Sequence, residues 1–340
     1  MEPYYYSQMS KLHKNVYHAM KTGLTGLMPS FGVPYMEGRE LADVFFKLRL
    51  DCPEIFWAVG FHYRFFPDCA KAEIIPEYLF EKGKVQEHKK AMDARITKLA
   101  RPAQSLTEGE KERYIHDFIC ENVRYDKLKK PYSHEIIGPL GQGVGVCEGI
   151  AKTVKALCDA LGIWCIIAVS EANPEKKIKY RHAWNVVRIN GAYYHLDATF
   201  DNSLSLGEAV RYDYFNLDDK NLFRDHEPVI CGIPQCTEGG HFYYKEKKLS
   251  FTKAEEVEKR AVQAARKGKS LVFHWRGSYL TREVLTELLE MLEGTAAQKD
   301  KHVVVGLNWP QAVLRVSFRD ARPESELVVE EPNEGEITGN

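Results

Sequence analysis

Residues 180–201 read YRHAWNVVRINGAYYHLDATFD, a stretch that predicts a β-hairpin. Asn190-Gly191 separates two runs that are rich in β-branched and aromatic residues. An Asn-Gly pair in that position is the strongest short-range signal for a β-hairpin with a two-residue type I′ turn. Such a turn fixes the register, so we expect Ile189 to pair with Ala192.

That register has a chemical consequence for the two strands. It places His182 opposite Thr199 and Trp184 opposite Asp197. Because side chains alternate along a strand, His182 and Asp197 then share one face as diagonal neighbours within reach of each other. The sequence therefore predicts an imidazole beside a carboxylate, on the face that we expect to meet the start of the preceding helix.

That helix is predicted from Cys147 to Leu161, where apolar residues recur at helical spacing and charged residues such as Lys152 occupy the other face. Cys147 is its first residue, where free N–H groups and the helix dipole favour a thiolate and lower the thiol pKa. The alternative is an ordinary buried cysteine. The glycine-rich loop at 138–145 lacks the Gly-Lys-Ser/Thr of a phosphate-binding loop.

Three motifs, GVCEG (145–149), HAWN (182–185) and YHLDATFD (194–201), resemble those of the transglutaminase-like superfamily. YFNL (214–217) and Asp225-His226 resemble the segment that follows in bacterial members. The resemblance covers about residues 110–245. It implies an α+β fold with a papain-like core, in which the helix that bears the cysteine packs on an antiparallel sheet.

The resemblance also implies site residues. Cys147 would be the nucleophile, His182 its base and Asp197 the residue that orients the base, with a thioester as intermediate. The oxyanion would be held by the Cys147 amide and a second donor, for which Gln142 is a candidate and a solvated loop glutamine the alternative. Trp184 is either a wall of the cleft or a core residue.

The function that these motifs favour is that of a cysteine-dependent acyl enzyme on amide bonds of peptides or proteins. We find no calcium-binding loop, so hydrolysis fits better than calcium-dependent cross-linking. We expect no cofactor and no metal. The rival interpretation is a catalytically silent module that keeps the fold as a peptide-binding or scaffold domain.

A metal site was the third possibility. His226, Cys231, Cys236 and His241 follow one another at intervals of five, near the spacing of zinc ligands. Pro228 and Pro234 interrupt the pattern, so an irregular loop with two buried thiols is the simpler interpretation.

Local patterns divide the chain into four regions. Residues 1–100 form a mixed α/β flanking region, 101–245 the catalytic core and 246–322 a small α/β region. Residues 323–340 are acidic and poor in apolar side chains, so we expect them to remain disordered.

Composition narrows the class of protein. The 340 residues carry 47 Lys and Arg against 48 Asp and Glu, a net charge of −1, which argues against a general nucleic-acid binder. No apolar stretch reaches the ~18 residues that a membrane span needs, and no signal peptide is visible. Eight sparse cysteines suit buried thiols in a reducing compartment, so we expect a cytoplasmic protein.

Overall fold

The structure is a computed structural model, and it describes residues 2–66, 70–176, 178–205, 209–277, 280–320, 326–330 and 332. The α-helices are α1 Tyr4–Ser7, α2 Lys11–Thr25, α3 Gly38–Asp51, α4 Lys82–Ala100, α5 Glu108–Asn122, α6 Cys147–Leu161, α7 Ala198–Leu204, α8 Asp219–Leu222, α9 Tyr243–Glu246, α10 Ala254–Lys267 and α11 Arg282–Ala297. None of the described helices is both long enough and apolar enough to cross a membrane.

The strands form four sheets. They are β1 Phe31–Pro34, β2 Ala58–Phe66, β3 Lys71–Tyr78, β4 Arg124–Tyr125, β5 Val144–Gly145, β6 Trp164–Ser170, β7 His182–Ile189, β8 Ala192–Leu196, β9 Phe215–Leu217, β10 Ser250–Phe251, β11 Leu271–Trp275, β12 His302–Asn308, β13 Val313–Arg319 and β14 Glu326–Val329. Their orders are β1-β3-β2, β4-β5, β6-β7-β8-β9 and β10-β11-β13-β12-β14. The chain is therefore an α+β protein.

The central sheet β6-β7-β8-β9 is antiparallel and contains the predicted hairpin. Ile189 pairs with Ala192 as expected, and Asn190 and Gly191 have φ angles of +51° and +86°, as a type I′ turn requires. Pairing stops at Leu196, however. The predicted pairs of His182 with Thr199 and of Trp184 with Asp197 are wrong, because the chain turns at Asp197 into helix α7.

Helix α6 has the predicted bounds, but its polar face is not exposed to solvent. Lys152 is fully buried, and its Nζ lies 2.8 Å from carboxylate oxygens of both Glu135 and Glu148. Arg49 of α3 contacts the same two carboxylates. Most of the charges on this face are therefore paired inside the protein, and only the end of the face, at Asp159, is exposed.

One hydrophobic core spans the first two predicted regions. Buried residues of α2, α3, β1 and β3 pack with those of α5, α6 and the central hairpin in a single cluster. The segment Ile55–Trp57, just before β2, is also buried in this cluster. The flanking region thus helps to bury the helix that carries Cys147.

The C-terminal sheet has a core of its own, with α10 and α11 packed together. Its last strand corrects a prediction. Residues 326–329 were expected to lie in a disordered tail, yet they pair in parallel with β12. The expectation is wrong for 326–330, while 323–325, 331 and 333–340 lie outside the described residues.

Residues 326–330 are held in place by the acidic side chain that follows β14. Glu330 accepts from Nη1 of Arg211 at 2.5 Å and also pairs with Arg315. The Arg211 side chain is 1% exposed, so it needs carboxylates around it. A Cβ at Gly306 would collide with the Glu330 carboxylate, which explains a glycine at that position of β12.

We predict that Glu330→Ala lowers the free energy of unfolding by about 2–3 kcal/mol, because it leaves Arg211 buried with Asp213 as its remaining carboxylate. Urea denaturation monitored by circular dichroism measures the change. Glu258→Ala, on the exposed face of α10, is the control and should stay within about 0.5 kcal/mol of the parent protein. Equal stability of both variants would show that β14 does not stabilise the fold.

Candidate active site

Asp197 is the centre of the candidate site, and it accepts four hydrogen bonds. Its Oδ1 accepts from the backbone N–H groups of Thr199 (2.9 Å) and Phe200 (3.0 Å), which begin helix α7. Its Oδ2 accepts from Nε2 of His182 (2.6 Å) and Nε2 of His226 (3.0 Å). Burial alone would raise the pKa of this carboxyl, but the two imidazoles hold it well below its usual range, His182 contributing most.

His182 is the first residue of β7 and is 7% exposed. Since Nε2 donates to Asp197, the ring orientation is fixed and Nδ1 is the other nitrogen available for proton transfer. The ring lies nearly parallel to the indole of Trp184, with centroids 5.8 Å apart, and 4.6 Å from the ring of Phe200. The predicted imidazole–carboxylate pair therefore forms, although the predicted strand pairing of His182 with Thr199 does not.

Trp184 is a core residue, so it does not wall a cleft. It is 1% exposed, and its Nε1 donates to Nδ1 of His195 at 3.1 Å. That bond leaves Nε2 of His195 as the protonated nitrogen, which donates to Asp219 Oδ1 at 2.8 Å. A buried chain of hydrogen bonds thus fixes the indole behind the His182 ring.

The sequence offered His226 only as part of the Asp225-His226 motif and as a possible zinc ligand, whereas the structure places it against Asp197 in the candidate site. Its Nδ1 donates to Asp225 Oδ1 at 2.8 Å while its Nε2 donates to Asp197. Burial opposes a charge on this ring, but the two carboxylates outweigh it and raise its pKa to about 9. His226 is therefore an imidazolium at neutral pH. Sequence spacing gave no signal, since His226 lies outside the hairpin.

Cys147 begins α6 as predicted and is 8% exposed. Its Sγ lies 3.9 Å from the carbonyl oxygen of Arg181, and the N–H of Ala183 also acts on it, so the backbone on both sides of His182 lies against the thiol. The predicted low pKa is wrong. Burial, followed by the charges of Glu148 and Asp197, outweighs the nearby N–H groups and raises the pKa of Cys147 to about 12.

The prediction that the face of His182 meets the start of α6 is also wrong. Asn185 of β7 donates to the carbonyl of Ala151 in α6 at 3.0 Å, so odd-numbered residues of the strand face the helix. His182 and Trp184 lie on the opposite face. Cys147 consequently approaches the strand at its first residue rather than across its face.

Tyr125 is a second residue that sequence reasoning missed. It pairs in β4 with Gly145 of β5, two residues before the cysteine. Burial and then the Cys147 thiol raise the pKa of its hydroxyl, while the backbone N–H of Cys147 acts in the opposite direction. Gln142, the predicted second oxyanion donor, ends a short π-helical turn, is exposed and makes no side-chain hydrogen bond within the described chain.

The model of the transglutaminase-like superfamily matches residues 90–198, a range that contains Cys147, His182 and Asp197. Residues 90–198 therefore form a transglutaminase-like domain. No curated protein matches this chain.

Two solved structures resemble this chain weakly. One is described as a TGase, with 12% identity and a TM-score of 0.27 over 50% of this chain and 50% of that one. The other is described as a proposed cysteine protease from Cytophaga hutchinsonii, with 17% identity and a TM-score of 0.27 over 41% of this chain and 61% of that one. This chain therefore spans half of the first protein and less than two thirds of the second, and we carry nothing over from either.

Two groups of potential metal ligands occur in the described parts of the protein. They are His182, Asp197, His226 and His195, Asp219, Cys236, each with ligand atoms within 4.8 Å of one another. In the first group the protons on both nitrogens of His226 are held by carboxylates. In the second group the indole N–H of Trp184 donates to Nδ1 of His195. Nε2 of His195 therefore keeps its proton and donates it to Asp219. Both groups therefore suit hydrogen bonding better than metal binding.

The alternative zinc set does not assemble. His226 lies against Asp197, Cys236 donates its backbone N–H to Asp219 at 3.2 Å, and His241 pairs with Glu246. All seven cysteines that the structure describes are free thiols. Cys69 lies outside the described residues.

We predict that His226→Asn destabilises the protein in a pH-dependent manner. The raised pKa of His226 means that its extra stabilisation is complete below about pH 6.5 and is lost as the pH rises towards 9. The loss in free energy of unfolding should be about 1–3 kcal/mol near pH 6 and should narrow by pH 10. Urea titrations at both pH values test this.

His241→Asn provides the matched control, because that imidazole is 38% exposed beside Glu246. It should change stability little at either pH. If the loss for His226→Asn is the same at pH 6 and pH 10, the ring does not act as a buried cation.

Proposed function

We propose that this protein is a cysteine-dependent acyl enzyme that acts on amide bonds of peptides or proteins. It transfers the acyl group to water or to an amine, with hydrolysis as the main reaction. The observation that carries the proposal is the contact of His182 with Asp197 at the strand end that lies against Cys147. The family match supports it, because the matched residues include all three.

The reaction begins with proton transfer. Because the pKa of Cys147 is about 12, the resting group is a thiol, and His182 would accept its proton as the sulfur attacks the substrate carbonyl. The resulting imidazolium is stabilised by Asp197. The carboxylates of Asp197 and Asp225 and the cations of His226 and protonated His182 would then balance in charge, which suits a buried site.

The tetrahedral intermediate needs donors for its oxyanion. The backbone N–H of Cys147 faces the site at the start of α6, and the Tyr125 hydroxyl lies beside it, so both serve this role in our proposal. His182 then returns its proton to the leaving amine, which departs as the thioester forms. Water attacks the thioester with His182 as base, releasing the acid and restoring the thiol.

A catalytically silent peptide-binding module is the competing proposal. Its main support is the low exposure of Cys147 and His182, at 8% and 7%. A small acyl donor distinguishes the two proposals, because it needs little room and no knowledge of the natural substrate.

We predict that p-nitrophenyl acetate acetylates Cys147 and is turned over. Asp197→Asn should reduce the turnover by about 10²-fold, because the imidazolium loses its counter-ion. Release of p-nitrophenol measures turnover, and peptide mass mapping of the quenched protein locates the acetyl group.

Cys158→Ser, a buried thiol on the same helix, is the matched control and should keep the activity, whereas Cys147→Ser should abolish it. A fluorescent primary amine is then added with casein, with and without calcium. Incorporation of the amine into casein indicates transamidation, and cleavage without incorporation indicates hydrolysis. Acetylation of other cysteines at the same rate as Cys147, or equal turnover in Cys147→Ser, would favour the silent module.

A further inference from the structure

A large cavity lies where the transglutaminase-like core meets the C-terminal sheet, and it is separate from Cys147. Its volume is about 920 Å³. We call it the basic groove, and its lining residues that matter here are Lys220, Arg224, Lys245, Arg276, Trp275 and Trp309. The volume is within the range of small-molecule sites.

The charge of the basic groove is unbalanced. Four of its lining side chains are cationic and none is a carboxylate, in a chain whose net charge is −1. Within the described residues no carboxylate lies within ion-pair distance of these four. Lys245 donates to the carbonyl of Gly239 at 2.9 Å and Arg224 to that of Pro310 at 3.1 Å. Cations held by neutral carbonyls keep their attraction for an anion.

The histidine at the bottom of the groove reports the same field. His274 is bonded to the Ser250 hydroxyl at 2.8 Å and lies against the ring of Phe242. Burial, followed by the charges of Lys245 and Arg224, lowers the pKa of His274 to about 4. It is therefore neutral at physiological pH, and its lowered pKa reflects burial and the cations that surround it.

Two tryptophan side chains also line the basic groove. Trp309 is 45% exposed at the groove, which is unusual for so large an apolar ring. Trp275 is 7% exposed, and its Nε1 is buried without a hydrogen-bond partner among the described residues. A buried N–H without an acceptor costs free energy, and a bound ligand that supplies an acceptor would recover it.

We propose that the basic groove binds a nucleotide-class ligand, in which a planar ring is joined to two or more phosphates. The phosphates pair with Arg276, Arg224, Lys220 and Lys245, and the ring stacks on Trp309. Arginine forks match phosphate oxygens, and stacking on an aromatic side chain contributes about 1–3 kcal/mol per base. This site is independent of the proposed acyl chemistry.

The test is direct binding of ATP to the full chain by isothermal titration calorimetry at low ionic strength. We expect ATP to bind, pyrophosphate to bind about tenfold or more weakly because it lacks the ring, and adenosine not to bind because it lacks the charge. Arg276→Gln should weaken ATP binding about tenfold, and Trp309→Leu should weaken ATP binding while leaving pyrophosphate binding unchanged.

Arg260→Gln is the matched control, since this arginine is exposed on α10 outside the groove. It should leave ATP binding unchanged. Circular dichroism establishes that each variant is folded. The proposal is overturned if ATP does not bind at millimolar concentration, if Arg260→Gln weakens binding as much as Arg276→Gln, or if pyrophosphate binds as tightly as ATP.

Discussion

The carboxylate of Asp197 is the constraint on which the candidate site depends. It ends β8, caps α7 through two backbone N–H groups, and accepts from two imidazoles. A fully buried anion is stable only with partners of this kind. One side chain therefore fixes the start of α7 and the rings of His182 and His226, so the geometry of the proposed base cannot change without disturbing the sheet and the helix that follows.

Buried polar groups near Asp197 link separate parts of the chain. Asp225 accepts from the hydroxyl of Tyr214 at 2.6 Å and holds His226, while His116 of α5 donates to Asp201 of α7 at 3.0 Å. Such networks fix a unique arrangement only when every member has its partners. The second aspartate of the HLDATFD motif is thus a structural residue, since its role is to tie α7 to α5.

Local patterns predicted the hairpin register, the bounds of α6 and the pair of His182 with Asp197, because turn chemistry and helical periodicity act over a few residues. Three features depended on distant partners instead. The burial of Lys152 was not predicted, because Arg49, which contacts the same two carboxylates, lies about 100 residues away in sequence. His226 reaches Asp197 only after the chain returns to the site. Residues 326–330 order because Arg211 needs a carboxylate, which composition does not reveal.

The contact between Arg49 and the first turn of α6 has a consequence for how this protein can be divided. The family match starts at residue 90, so the recognisable module excludes α3. A shortened protein that began there would keep the two carboxylates and Lys152 but lose one of the two cations that neutralise them. Glu135 and Glu148 would then carry excess charge under the helix that bears Cys147. The part of the chain that matches the family is therefore smaller than the part that folds together, and the N-terminal segment supports the helix that begins at Cys147.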